Sequence, residues 1–127
     1  MTGQKVYEIA CSLLFEKPGM DKFFYNSAVN LINVLIAEAM PYQNNRERST
    51  GREETNLFQI ESLQDEIPMD DPIVKIALPY GLASYFYQDE EDNFRAQDYR
   101  GRFIAALEDA KLCEMIDITD NYGEGGE

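Results

Sequence analysis

Ile73-Val-Lys-Ile-Ala-Leu-Pro-Tyr-Gly-Leu-Ala-Ser-Tyr-Phe-Tyr-Gln88 runs into Asp89-Glu-Glu-Asp92 and then into Asn93-Phe-Arg-Ala-Gln-Asp-Tyr-Arg-Gly-Arg-Phe-Ile-Ala-Ala-Leu-Glu-Asp-Ala-Lys-Leu112. The first part is apolar nearly all round: Ile73, Ile76, Ala77, Tyr80 and Tyr87 mark one helical face, and Val74, Leu78, Leu82 and Phe86 another. A helix of this kind lies centrally in a core or is shared between the core and a partner. Asp70 or Asp71 stands at its N-cap position, and Pro72 fits the first turn, where the missing N–H costs nothing. Pro79 cannot donate a hydrogen bond and crowds the carbonyl of Lys75, which predicts a kink. Gly81 either admits a neighbouring backbone or relieves crowding at that kink. Beyond the acidic break, Asp92 caps a second helix with Phe94 in its first turn and Tyr99, Phe103, Ala106, Leu107 and Ala110 on one stripe. The two helices read as an antiparallel hairpin.

Toward the N-terminus two more helices are predicted. One starts at Thr2 as N-cap and runs to about Phe15, with Val6, Ile9, Leu13 and Leu14 on one face, until Lys17-Pro18-Gly19 stops it. The other is capped by Asp21, buries Phe24, Ala28, Leu31, Ile32, Leu35 and Ala39, and is expected to end near Met40, because proline disfavours helix at the residue before it. Asn26, Asn30 and Asn33 share another face of this helix, either as a solvated row or as amides held at a contact. From Tyr42 to Asn56 the composition predicts a long polar loop. Its Arg46, Arg48 and Arg52 either grip a phosphate or carboxylate on another chain by their planar forks, or pair locally with Glu47, Glu53 and Glu54. Residues 57–63 alternate with a period near two and suggest a short strand, for which 115–118 is the candidate partner. The fold class expected is therefore mainly α: a four-helix orthogonal or antiparallel bundle with a long polar loop and room for one short two-stranded β pairing (57–63 with 115–118). Residues 1–118 form its single domain, and 119–127 are an acidic tail without periodicity, expected to be disordered.

A chain of 127 residues with 44% hydrophobic and 28% charged residues can bury about 65–70% of its unfolded surface and needs no staple. Cys11 and Cys113 are flanked by apolar residues and read as small hydrophobes, not as a disulfide. The opening Met-Thr-Gly-Gln-Lys leads straight into polar-apolar alternation, and no apolar run reaches a membrane span, so neither secretion nor membrane insertion is expected. There is no histidine, hence no usual general base and not the commonest metal ligand. Two distant cysteines make no zinc site, and no glycine-rich phosphate loop occurs. Asp70-Asp71 and Asp89–Asp92 are the remaining candidates for chemistry, as oxygen ligands for Mg²⁺ or Ca²⁺. Their positions favour helix capping and solvation instead. No enzyme, cofactor or metal is expected. Net charge is −13, and it is uneven: residues 1–60 carry six basic and seven acidic groups, residues 61–127 five and seventeen. Such a surface repels phosphate backbones, so nucleic-acid binding is disfavoured.

Leu78-Pro-Tyr-Gly-Leu-Ala83, the acidic break and the spaced Phe94, Tyr99 and Phe103 resemble the small helical head-tail connector (adaptor, head-completion) proteins of tailed bacteriophages and prophages. Asn33-Val-Leu-Ile-Ala-Glu38, the polar segment with Asn45, Arg46 and Gly51, and the lead-in Asp65-Glu66-Ile67-Pro68 extend that resemblance over most of residues 4–110. It implies a subunit made in the bacterial cytoplasm and placed in the virion, forming a homo-oligomeric ring between the portal protein and the stopper or tail-completion protein. It further implies interface roles for Arg46, Arg48, Arg52, Phe58 and Ile60 and for Met115, Ile116, Ile118 and Tyr122, while the second apolar face of the 73–88 helix, with Leu82 and Phe86, suits contact with a neighbouring subunit. The short glycine-containing acidic tail departs from the family's pattern. Two other readings compete with it: an acidic DNA-mimic or regulatory binder, and a metal-dependent phosphoryl-transfer enzyme built on Asp70 and Asp89–Asp92.

Overall fold

The computed structural model describes residues 1–112, and four α-helices carry these described residues. They are α1 (Gly3–Leu13), α2 (Lys22–Ser49), α3 (Leu78–Asp89), which a π-helical segment (Pro72–Ala77) leads into, and α4 (Asn93–Ala110). The architecture is a mainly-α bundle, as the apolar periodicity predicts.

At the start of α1 the N–H groups of its first three residues, which have no partner inside the helix, find acceptors, and the Val6 N–H makes the first helical bond. Gly3 and Gln4 donate to the carbonyls of Asp65 and Leu63, Lys5 to the Thr2 hydroxyl, and Val6 to the Thr2 carbonyl. The segment around Leu63–Ile67 thereby wraps the N-terminus, with an isolated bridge between Thr2 and Glu66. The buried face of α1 is Val6, Tyr7, Ala10, Cys11 and Leu14, whereas Ile9 and Leu13 are only half-buried. Tyr7 sets this rotation: its ring packs on Phe24 and Tyr25 at 5.6 and 5.3 Å, and its hydroxyl accepts the Gly19 N–H at 2.7 Å. Burial pushes its phenol up to about 12, so it stays protonated. Cys11 is a buried free thiol, raised in pKa by the same desolvation, and Cys113 lies outside the described residues.

Contacts along α2 fix the order of the bundle. Phe24 meets Phe86 at 5.2 Å near one end and Leu35 meets Gly81 further along, so α2 and α3 are antiparallel. Glu38 pairs with Arg100, Tyr42 bonds Glu108 and Arg46 bonds the Ala110 carbonyl, so α2 and α4 run parallel. Between α3 and α4, Tyr80 and Tyr87 pack on Tyr99 while Arg102 lies over Tyr80 and Arg95 over Tyr87, which makes the expected antiparallel hairpin. By length and composition α2 alone among the described helices is apolar enough to cross a bilayer. Its apolar stripe, Phe24, Ala28, Ile32, Leu35, Ile36 and Ala39, faces the bundle's own core.

Three expectations need correction. First, α2 does not stop before Pro41 but continues to Ser49, so much of the predicted polar loop is helical. Pro41 and Ala37 both lie on the solvent side, where water can take the carbonyl that loses its donor. Tertiary bonds from Gln43, Asn45, Arg46 and Glu47 then hold the polar half, overriding its weak propensity. Second, 57–63 carries no strand; its proposed partner, 115–118, lies outside the described residues, as does the predicted tail 119–127. Third, neither Asp70 nor Asp71 caps by its side chain, since Asp70 is turned toward two arginines. Just before Pro79, where the sequence predicts a kink, the chain is π-helical, and the Leu78 N–H reaches back five residues to the Ile73 carbonyl.

Candidate functional site

Asp70 receives the Nε of Arg46 at 2.8 Å, both terminal nitrogens of Arg52 at 2.9 and 2.8 Å, and the amide of Gln43 at 3.2 Å. The Gln43 carbonyl in turn accepts the Asp70 N–H. The Arg52 guanidinium beside it, helped by Arg46 and Gln43, holds this carboxyl well below the usual carboxylate range. Glu47 is buried next to it; burial alone would raise its pKa, but the Thr55 hydroxyl and N–H, Gln43 and Arg52 outweigh that and lower it. Arg48 bonds Glu54 at 2.7 Å. The arginines predicted to grip a partner therefore serve a latch that ties the connection after α2 back to the bundle.

The other predicted interface residues divide in a similar way. Ile60 is buried, its N–H and C=O clasped by both ends of the Asn33 amide at 2.8 and 2.9 Å, which settles the asparagine row: Asn33 is a contact, Asn26 and Asn30 are exposed. Phe58 is half-buried against the core. Leu82 and Phe86 are buried in the chain's own core among α1, α2 and α4, and Phe86 also reaches the lining of a groove between α2 and α3. Met115, Ile116, Ile118 and Tyr122 lie outside the described residues.

A different surface stands out. The chain between α1 and α2 presents Phe15 at 97% exposure, with Met20, Phe23 and Tyr25 also exposed beside it. This corner is held in place: Tyr7 accepts the Gly19 N–H, Met20 donates to the Lys17 carbonyl, and Asp21 caps α2 through the Phe24 N–H. Phe15 occupies the left-handed region with φ +57°. It is the C′ residue of a Schellman turn, with Glu16 N–H donating to Cys11 C=O and Phe15 N–H to Ser12 C=O. The end of α2 makes the same turn with Gly51, and the end of α3 makes it with Glu91 at φ +59°. Glycine is the residue that fits this position, and a side chain there costs about 1–2 kcal/mol. A chain that uses glycine once and forgoes it at Phe15 and Glu91 keeps those two side chains against a local cost.

Next to the corner, a groove of about 370 Å³ opens between α2 and α3, lined by Phe23, Phe24, Leu31, Tyr85 and Phe86, with Ser27, Gln88 and Asp89 at its polar edge. Tyr85 and Gln88 also line a second groove, between α3 and α4. Asp89, Glu90 and Glu91 stand at the C-terminal end of α3, where the helix dipole disfavours negative charge, and none has an ion-pair partner among the described residues. Only Asp92 of the acidic break takes the capping role expected for it, accepting the Arg95 N–H at 3.1 Å. Among the described residues no three His, Cys, Asp or Glu side chains are placed to hold a metal ion.

The corner and groove were not singled out in the sequence. The available signal was misfit: Phe15, Met20 and Phe23 fall outside the apolar stripes of the helices they flank. Comparison with family models, with curated proteins and with solved structures finds no match.

Proposed function

We propose that this domain is a structural adaptor subunit of the tailed-phage head-tail connector type, bridging the portal vertex to the stopper or tail by protein-protein assembly. The resemblance carried by Leu78–Ala83, the acidic break and Phe94, Tyr99 and Phe103 supplies the family. The observation that best supports an assembly role is the fixed aromatic corner with the unfilled apolar groove beside it, on a domain whose ionisable groups otherwise pair or face water. Surfaces of that kind mark sites of protein contact. An acidic wall around a DNA channel also lets the duplex pass without the counterion release that would hold it. Co-expression with the portal protein encoded in the same genome tests the reading. Co-purification with portal particles and a ring of extra density beneath the portal in electron micrographs are expected; no capture and no ring would refute it. The excess of carboxylates after residue 60 favours one other reading, an acidic binder that occupies a nucleic-acid groove, which a salt-sensitive capture of a host nuclease or repressor would select.

A further inference from the structure

We infer that the occupant of the α2–α3 groove is a second copy of this chain, which inserts the Phe15 corner while its Lys17 and Lys22 face the carboxylates of Asp89, Glu90 and Glu91. The contact rests on the assembly reading, for which it supplies the junction between copies. Charge complementarity within one chain selects this occupant over others. Lys17 and Lys22 flank Phe15, Met20 and Phe23, and neither ammonium has an ion-pair partner among the described residues. Of the acids at the corner, Asp21 is turned inward as the α2 cap and Glu16 remains. The groove is lined by Asp89 and no cation; Glu90 and Glu91 follow Asp89 in the chain, and Lys22 precedes Phe23, which the corner and the groove share. An apolar knob with cations beside it and an apolar groove with anions beside it are complementary halves of one contact.

Backbone chemistry supports the same pairing. Among the described residues the non-glycine residues in left-handed Schellman positions are Phe15, in the knob, and Glu91, in the turn that follows the groove residue Asp89. Strain of this kind persists where the side chain does something the isolated fold does not need. Because the backbone of the corner is pinned by Tyr7 and the Asp21 cap, little conformational freedom is lost when it docks.

Three variants and one mixture test this. Lys17→Glu/Lys22→Glu places negative charge on both halves, and Asp89→Lys/Glu90→Lys places positive charge on both. By sedimentation velocity each alone is expected to self-associate at least roughly tenfold more weakly than the parent, from like-charge juxtaposition. Their equimolar mixture is expected to recover association, since each knob then meets an oppositely charged groove. Phe15→Gly removes the knob while relieving strain, so it should melt at or above the parent's temperature yet associate roughly thirtyfold more weakly. A parent that remains monomeric at all concentrations reached, reversal variants that associate like the parent, or a mixture that fails to recover would each overturn the inference. Portal capture separates the two levels. Association that follows this pattern without any portal binding leaves the contact standing and removes the connector function; portal binding with charge-insensitive association does the reverse.

Discussion

At the scale of single residues, backbone and space argue in opposite directions at different positions, and both signs are measurable. Phe15 and Glu91 hold left-handed φ values of 57° and 59° with side chains that touch little of the core. Phe15→Gly and Glu91→Gly should each stabilise the isolated domain by about 1 kcal/mol, which for a chain of this size raises the melting temperature by roughly 3–5 °C in calorimetry. Loss of stability in either would mean that the side chain has a packing role after all. Gly81 and Gly101 form a matched pair inside helices. A Cβ at Gly81 would lie 2.5 Å from Leu35 Cδ2 and 3.0 Å from Phe103 Cδ1, both fully buried side chains with nowhere to move. Nothing lies within 4 Å of the corresponding position at Gly101. Gly81→Ala should therefore destabilise by about 1–3 kcal/mol through overpacking, and Gly101→Ala should stabilise by roughly 0.5–1 kcal/mol through helix propensity, both read by urea unfolding. The sequence left Gly81 open between a neighbouring backbone and kink relief; what comes close to it is neither, but the side chains of Leu35 and Phe103.

At the scale of elements, the latch around Asp70 decides where α2 ends. Helix periodicity and caps at Thr2, Asp21 and Asp92 made α1, α3, α4 and the first half of α2 legible, because each follows from local chemistry. The second half of α2 was not legible, because its stability comes largely from residues far away in sequence: Asp70 for Gln43 and Arg46, Leu112 for Asn45. No window of local sequence contains those partners. The latch has a pH signature. Asp70 and Glu47 both have lowered pKa values in the folded state, Asp70 chiefly through Arg52. A depressed carboxyl contributes stability that is present above the unfolded value of about 3.9–4.3 and is lost as pH falls through the folded value. Asp70→Asn should cost about 1–2 kcal/mol at pH 7, kept modest by the exposure of Arg52. The difference between this variant and the parent should narrow as pH falls below about 4. Urea titrations at pH 7, 4 and 3 read both effects, and a gap that is constant across this range would exclude the carboxylate as the group responsible. Helical circular dichroism of Asp70→Asn should also fall slightly, since α2 frays from Ser49 toward Pro41 when Arg46 and Gln43 lose their anchor.

For the molecule as a whole, the proposed contact between copies has to form on a domain of net charge −13. Two electrostatic contributions compete. Repulsion between like-charged bodies acts over the Debye length, about 30 Å at 0.01 M salt and about 8 Å at 0.15 M. Attraction between Lys17 and Lys22 of one copy and the α3 rim of the next acts over a few ångströms and is screened less once the contact closes. The apolar part, Phe15 in a groove lined by Phe23, Leu31, Tyr85 and Phe86, is independent of moderate salt. Self-association is therefore expected to strengthen severalfold as salt rises from about 0.01 to 0.15 M, because the long-range repulsion is removed first. Phe15→Gly should lose most of the association at 0.15 M and leave little for salt to strengthen. Sedimentation velocity at the two ionic strengths distinguishes this from an assembly held mainly by ion pairs, in which association would weaken steadily with salt. None of this was visible in the net charge alone. The asymmetry between residues 1–60 and 61–127 was legible, but the nearness of a cationic aromatic corner to an acidic groove follows only from how α2 and α3 pack: Phe23 belongs to the corner and lines the groove, and Asp89 stands at its edge.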